Sequence, residues 1–150
     1  MEYKYTSRSI DDTRELAENI ESEKFPGMVI CLNGELGSGK TLFVKAFASA
    51  LGIQDDVTSP TFNIIKEYLD GEMELYHMDV YRVEDNYESV GIEDYFKKNG
   101  VVIIEWADMI SDILPEERLD INIQIAGENS RILTLVPHGE QYEEVCSSVL

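Results

Sequence analysis

Gly34-Glu35-Leu36-Gly37-Ser38-Gly39-Lys40-Thr41 stands between an apolar run, Met28 to Leu32, and a helix-like stretch, Leu42 to Leu51. G-x-x-x-x-G-K-T between a strand and a helix is the spacing of a phosphate-binding loop, or P-loop. Chemistry explains the spacing. Glycines at 34, 37 and 39 let backbone N–H groups curl around phosphate oxygens without Cβ clashes, and the start of the following helix favours an anion. Lys40 is spaced to reach the β- and γ-phosphates, and the Thr41 hydroxyl to hold Mg²⁺. A nucleoside triphosphate is therefore the expected ligand, with Glu35, Leu36, Gly37, Ser38, Gly39, Lys40, Thr41 and Leu42 as its binding residues.

Upstream of the loop, Ser9 and Asp12 mark a helix start. Ile10, Leu16, Ala17 and Ile20 then give Asp11 to Ser22 an apolar face, ended by Phe25-Pro26-Gly27. Met28 to Asn33 reads as a short buried strand feeding the loop. Beyond it, Phe43, Phe47 and Leu51 recur at every fourth position, with Gly52 as the C-cap. Phe62 to Leu69 and Met73 to Val80 read as strands joined by a tight antiparallel hairpin at Asp70-Gly71. Val101 to Ile104 is a wholly apolar, β-branched run, expected to be a central strand buried on both faces, and Trp106 to Leu114 a short helix stopped by Pro115. Leu119 to Ile125 alternates, Gly127-Glu128-Asn129-Ser130 turns, and Ile132 to Val136 resumes, so a second hairpin is expected. Gln141 to Leu150 reads as a terminal helix. The sum is a single α/β domain over residues 1–150. Its expected form is a P-loop NTPase-like mixed sheet, parallel at the centre and antiparallel at two hairpins, flanked by helices.

The 150 residues suffice for one domain with a proper core, and no apolar run approaches the ~18 residues that would span a bilayer. Met1-Glu2-Tyr3-Lys4-Tyr5 lacks a basic region followed by an apolar core, so a cytoplasmic location is expected, with no membrane partner. Thirty acidic against twelve basic residues, a formal charge of −18, oppose direct binding to tRNA or any other polyanion. Cys31 and Cys146 have no CxxC or Cys/His neighbours and read as small buried hydrophobes.

Phosphoryl transfer needs a metal held on the phosphates by oxygen ligands, so an acid is expected at the C-terminal end of a strand near the loop. Glu105, which ends Val101-Val102-Ile103-Ile104, and Asp79, which ends Leu75-Tyr76-His77-Met78, both fit, and the first run is the better metal-site strand. Lys40, Asp79 and Glu105 are the expected catalytic residues, and Thr41 and Glu105 the expected metal ligands. His77 shares a strand face with Asp79 and either orients it or fills the sheet. Trp106 packs in the core by default, with a partner- or nucleotide-facing role as the sharper alternative. Thr58-Ser59-Pro60-Thr61 has the composition and position of a switch segment. Arg82 is a possible internal helper on the transferred phosphoryl group, but no basic lid of the kind kinases carry is present. These features imply weak intrinsic hydrolysis that depends on a partner. ATP is favoured over GTP because no Asn-Lys-x-Asp guanine-reading motif occurs.

Four motifs in order, the P-loop at 34–41, Ser59-Pro60-Thr61-Phe62, His77-Met78-Asp79-Val80-Tyr81-Arg82 and Ile103-Ile104-Glu105-Trp106, resemble the TsaE family. These are bacterial P-loop ATPases of tRNA threonylcarbamoyladenosine biosynthesis. The resemblance implies an ATPase working with the TsaB and TsaD proteins, which place threonylcarbamoyl on N6 of adenosine-37 in tRNAs reading ANN codons. The family member does not itself transfer the group. Carried over by motif, Lys40 and Thr41 match the phosphate and Mg²⁺ residues, Glu105 the magnesium-site acid, and Asp79 the acid that aids hydrolysis. Thr61 matches the switch-like loop and Trp106 the tryptophan after the metal-site glutamate. Met78 stands where family members often have Phe. A small-molecule P-loop kinase and a nucleotide-gated binding module are the competing readings.

Overall fold

The computed structural model describes residues 1–58, 60, 64–81 and 91–150. Its elements are β1 (Tyr3–Ser7), α1 (Ile10–Ser22), β2 (Val29–Gly34), α2 (Lys40–Ala50), β3 (Ile65–Tyr68), β4 (Leu75–Asp79), α3 (Ile92–Tyr95), β5 (Val101–Glu105), a 3-10 helix (Ala107–Ile113), β6 (Arg118–Ile125), β7 (Arg131–His138) and α4 (Glu140–Val149). The strands form one sheet in the order β1-β7-β6-β2-β5-β4-β3. β2 runs parallel to β5 and β6, and β4 parallel to β5. β3 is antiparallel to β4, β7 to β6, and β1 to β7. The parallel centre and antiparallel flanks are those expected from the apolar runs.

β2 and β5 are buried along their lengths because both sheet faces are covered there. On one face α1, α2 and α4 bring Leu16, Ile20, Phe43, Phe47 and Val145 onto Ile30, Leu32, Ile103 and Leu133. On the other, Ile92 of α3 and Ala107 and Ile110 of the 3-10 helix pack on Val29, Cys31, Met78 and Ile104. Strand alternation thus divides β2 between two cores. Cys31 and Cys146 are both buried free thiols, and burial pushes Cys146 up to about 11.

Local signals set the helix ends. The Ser9 hydroxyl accepts from the Asp12 N–H at 3.2 Å and caps α1. After α2, Gly52 takes φ +89°, its N–H reaching the Ser49 carbonyl and that of Ile53 the Ala48 carbonyl, the paired bonds of a Schellman stop.

Three elements differ from expectation. β1 is an edge strand whose Tyr3, Tyr5 and Ser7 register against Leu135, Leu133 and Arg131. Asp70-Gly71 is not a tight two-residue turn, because Tyr68 pairs with Leu75 and the connection runs from Leu69 to Glu74. Gly71 instead serves close approach. A Cβ there would lie 2.9 Å from Ile53 Cγ1 and 3.1 Å from the Leu51 carbonyl, and the neighbouring Glu72 N–H donates to that carbonyl at 2.8 Å. The segment after Glu105 is a 3-10 helix kinked at Ile110, entered through Trp106 at φ +63°. Of the expected strand Phe62 to Leu69, Phe62 and Asn63 lie outside the described residues. Among the described residues no helix is long and apolar enough to cross a membrane.

Phe47 is fully buried between α2 and the sheet, whereas Ile10 is 62% exposed. Phe47→Ala is expected to cost about 3–5 kcal/mol in urea unfolding, and Ile10→Ala no more than about 0.5 kcal/mol. Equal costs would contradict the placement of α2 on the core.

Candidate functional site

The chain leaves β2 at Gly34, where there is no room for a side chain. A Cβ would sit 2.6 Å from both the Ile123 carbonyl and the Ser38 hydroxyl. Gly37 at φ +83° and Gly39 at φ +111° then turn the backbone through left-handed conformations and deliver it to the first turn of α2. Ser38 is buried and its hydroxyl has no hydrogen-bond partner among the described residues. Leu36 is 87% exposed at the tip. The loop encloses one side of a cavity of about 250 Å³ lined by Leu36, Gly37, Gly39, Lys40, Thr41 and Leu42, with Asp79, Glu105 and Trp106 opposite. Of the loop residues expected to bind, Glu35 and Ser38 do not line it. They contribute backbone, with the Glu35 carbonyl accepting from the Ser38 N–H at 3.0 Å.

The opposite wall follows from strand register. β4 and β5 run in parallel with Asp79 beside Glu105 and His77 beside Ile103. Leu75 and Ile103 belong to the core under α2, so His77, Asp79 and Glu105 share that face by alternation. Because β5 also pairs with β2, Glu105 lies at the strand end next to the loop. The Thr41 hydroxyl donates to Glu105 at 3.0 Å (Oε1) and 3.3 Å (Oε2), and His77 Nε2 is 2.6 Å from Glu105 Oε2. Glu105 is 2% exposed and His77 fully buried, with the His77 Nδ1 lacking a hydrogen-bond partner among the described residues. The structure therefore pairs His77 with Glu105 and not with Asp79. Residues two apart along one strand are separated by about 6.6 Å, whereas a diagonal neighbour on the adjacent strand is within reach of a long side chain.

Asp79 is half-buried. Burial raises its carboxyl above the ordinary value, the Tyr81 N–H bonded at 3.1 Å opposes this, and the Glu105 charge adds to the rise. Lys40 donates to the carbonyls of Gly34 at 2.5 Å and Glu35 at 3.0 Å, and its ammonium lies 4.1 Å from the centroid of the Trp106 ring. Burial lowers the Lys40 pKa, and the Glu105 and Asp79 carboxylates oppose that. Trp106 is only half-buried. Its ring packs on Tyr81 at 4.7 Å and faces the cavity, so it is a cavity wall and not simply core.

The arrangement supplies oxygen donors, backbone N–H groups and one buried cation at a single opening. Among the described residues no cluster of three or more His, Cys, Asp or Glu side chains could enclose a metal. An ion here would rest on Thr41, an acid and the oxygens of its ligand, which is how Mg²⁺ is commonly held. Ser59, Thr61 and Arg82 lie outside the described residues. The sequence reading missed Arg131, whose guanidinium reaches the loop carbonyls of Gly37 and Ser38 from β7. Its distance along the chain leaves no local signal.

The raised pKa of Asp79 has a stability consequence. Between its ordinary value of 3.8 and its raised folded value, Asp79 keeps a proton in the folded chain that the unfolded chain has lost, so stability falls as pH rises through that window. Above the window the penalty is fully in force. Asp79→Asn is therefore expected to raise the urea midpoint at pH 7 in chelator, the gain fading as pH drops toward 3.8. A lower midpoint at pH 7 would contradict the assignment.

The family model "Threonylcarbamoyl adenosine biosynthesis protein TsaE" matches residues 7–133. The chain is 46% identical over 146 residues to the tRNA threonylcarbamoyladenosine biosynthesis protein TsaE of Bacillus subtilis (strain 168), covering 97% of this chain and 92% of that one. It is 37% identical over 131 residues to the protein of the same name in Treponema pallidum (strain Nichols), covering 86% and 96%. Among solved structures, Bacillus subtilis YdiB superposes with a TM-score of 0.85 at 40% identity, covering 99% of this chain and 94% of that one. With the family model, the near full-length relatives and the solved structure in agreement, the chain belongs to the TsaE family of tRNA threonylcarbamoyladenosine biosynthesis proteins.

Proposed function

We propose that the protein binds ATP with Mg²⁺ at the P-loop and hydrolyses it slowly alone and faster with TsaB and TsaD. It thereby supports threonylcarbamoylation of adenosine-37 in tRNAs reading ANN codons, in the cytoplasm, without transferring the group itself. The observation that carries this reading is the bond from the Thr41 hydroxyl to Glu105, which joins the phosphate loop to the acidic end of β5. Lys40 neutralises the β- and γ-phosphates, and the backbone of residues 35–42 cradles them at the start of α2. Thr41 and Glu105 are the side chains that would hold Mg²⁺, which when bound offsets phosphate charge. Asp79, beside Glu105 in the register, orients the attacking water.

Two features favour dependence on partners. Among the described residues, Lys40 is the one cation that lines the cavity and Arg131 is held by the loop carbonyls, so a second cation for the transferring phosphoryl group is to be supplied from elsewhere. The formal charge of −18 also leaves tRNA to be held by other proteins.

The test is a multiple-turnover tRNA-modification assay with TsaB and TsaD, run beside ATP hydrolysis and ATP binding. Hydrolysis by the wild type is expected to rise on adding both partners. Lys40→Ala is expected to lose ATP binding, and Glu105→Ala to retain it but hydrolyse about 100-fold more slowly, consistent with losing a few kcal/mol of charge stabilisation. Normal modification turnover by Glu105→Ala would favour a nucleotide-gated binding module. ADP release matched by a phosphorylated acceptor would favour a kinase.

A further inference from the structure

Arg131 begins β7, paired with Ile125 of β6 and Ser7 of β1, on the sheet face that α2 covers. Its guanidinium bridges two separate pieces of chain. Nε donates to the Ser38 carbonyl at 3.1 Å and Nη2 to the Gly37 carbonyl at 3.2 Å. Nη1 donates to the carbonyls of Gly127 at 3.0 Å and Ser130 at 2.8 Å. No carboxylate among the described residues forms an ion pair with it, although the chain has thirty acidic residues. The planar fork of the guanidinium suits several carbonyls at fixed angles, which an ammonium cannot match.

The loop needs such a restraint. Among the described residues nothing lies within 4 Å of where a Cβ would stand on Gly37 or Gly39, so their packing does not hold these left-handed glycines. In a planar trans peptide the N–H points opposite to the carbonyl. Drawing the Ser38 carbonyl toward β7 therefore turns the Gly39 N–H the other way, and Gly39 lines the cavity.

We propose that Arg131 is a positioning residue of the phosphate loop. It fixes the Gly37 and Ser38 peptide planes against the β6–β7 turn so that the loop presents its N–H groups to the phosphates. The consequence for nucleotide affinity rests on the ATP reading of the site, whereas the restraint itself does not.

The experiment compares wild type, Arg131→Ala and Arg131→Lys. In the nucleotide-free protein, Arg131→Ala is expected to speed amide hydrogen exchange about tenfold in residues 34–41 while exchange in α1 and the melting temperature stay close to wild type, the effect of losing charge-assisted bonds. With ATP, KM is expected to rise about tenfold with kcat within about twofold, and Arg131→Lys to fall between the two because it keeps the charge but not the fork. Unchanged exchange at 34–41 overturns the proposal, as does faster exchange spread evenly over the chain with a lowered melting temperature. If the wild type itself binds no ATP, the reading of the site fails, and the exchange comparison still decides the restraint.

Discussion

The bond from Thr41 to Glu105 spans 64 positions of sequence and exists only because β5 lies parallel and adjacent to β2. The 34–41 loop follows β2, and an acid that meets it there comes from the end of a neighbouring strand. β5 supplies Glu105 there, and β4, registered on β5, adds Asp79 beside it. Burial of β2 and β5 on both faces is what holds that adjacency, since a slip of one residue would turn Glu105 to the opposite face.

Around this contact the protein gathers several buried polar groups, Ser38, Lys40, His77 and Glu105 among them. Glu105 is enclosed but meets Thr41 and His77, and Lys40 is enclosed but meets two loop carbonyls and the face of Trp106. Burying such groups is tolerable only when they are paired. Asp79 is only half-buried and accepts from the Tyr81 N–H, yet burial and the neighbouring Glu105 carboxylate raise its pKa. Cost of this kind is common where chemistry is done. Arg131 completes the arrangement from outside by gripping a loop in which, among the described residues, nothing packs where a Cβ would stand on Gly37 or Gly39.

Much of this was legible in the residues. The loop declares itself because its glycines, Lys40 and Thr41 are contiguous, and β5 because a β-branched apolar run bounded by Glu105 can hardly be surface. Contacts that depend on register were not legible. Alternation placed His77 with Asp79 correctly on one face, but the partner of His77 is set by which residue β5 brings alongside. β1 carries the alternating Tyr3, Tyr5 and Ser7, yet it has meaning as a strand only once β7 offers an edge. Trp106 adopts φ +63°, a conformation that nothing in a non-glycine residue announces, and this turns its ring to the cavity. Asp70-Gly71 marked the antiparallel hairpin correctly but misled on its turn, since its glycine answers to the end of α2 and not to a tight two-residue turn.

The central claim is that Thr41 and Glu105 together form the metal side of a triphosphate site. A crystal structure with Mg²⁺ and a non-hydrolysable ATP analogue tests it most directly. The triphosphate is expected to be wrapped by residues 35–42, with the ion about 2.0–2.1 Å from the Thr41 hydroxyl and Glu105 bound to it directly or through one water. An ion held by Asp79 alone, with Glu105 still accepting from Thr41, would contradict the account.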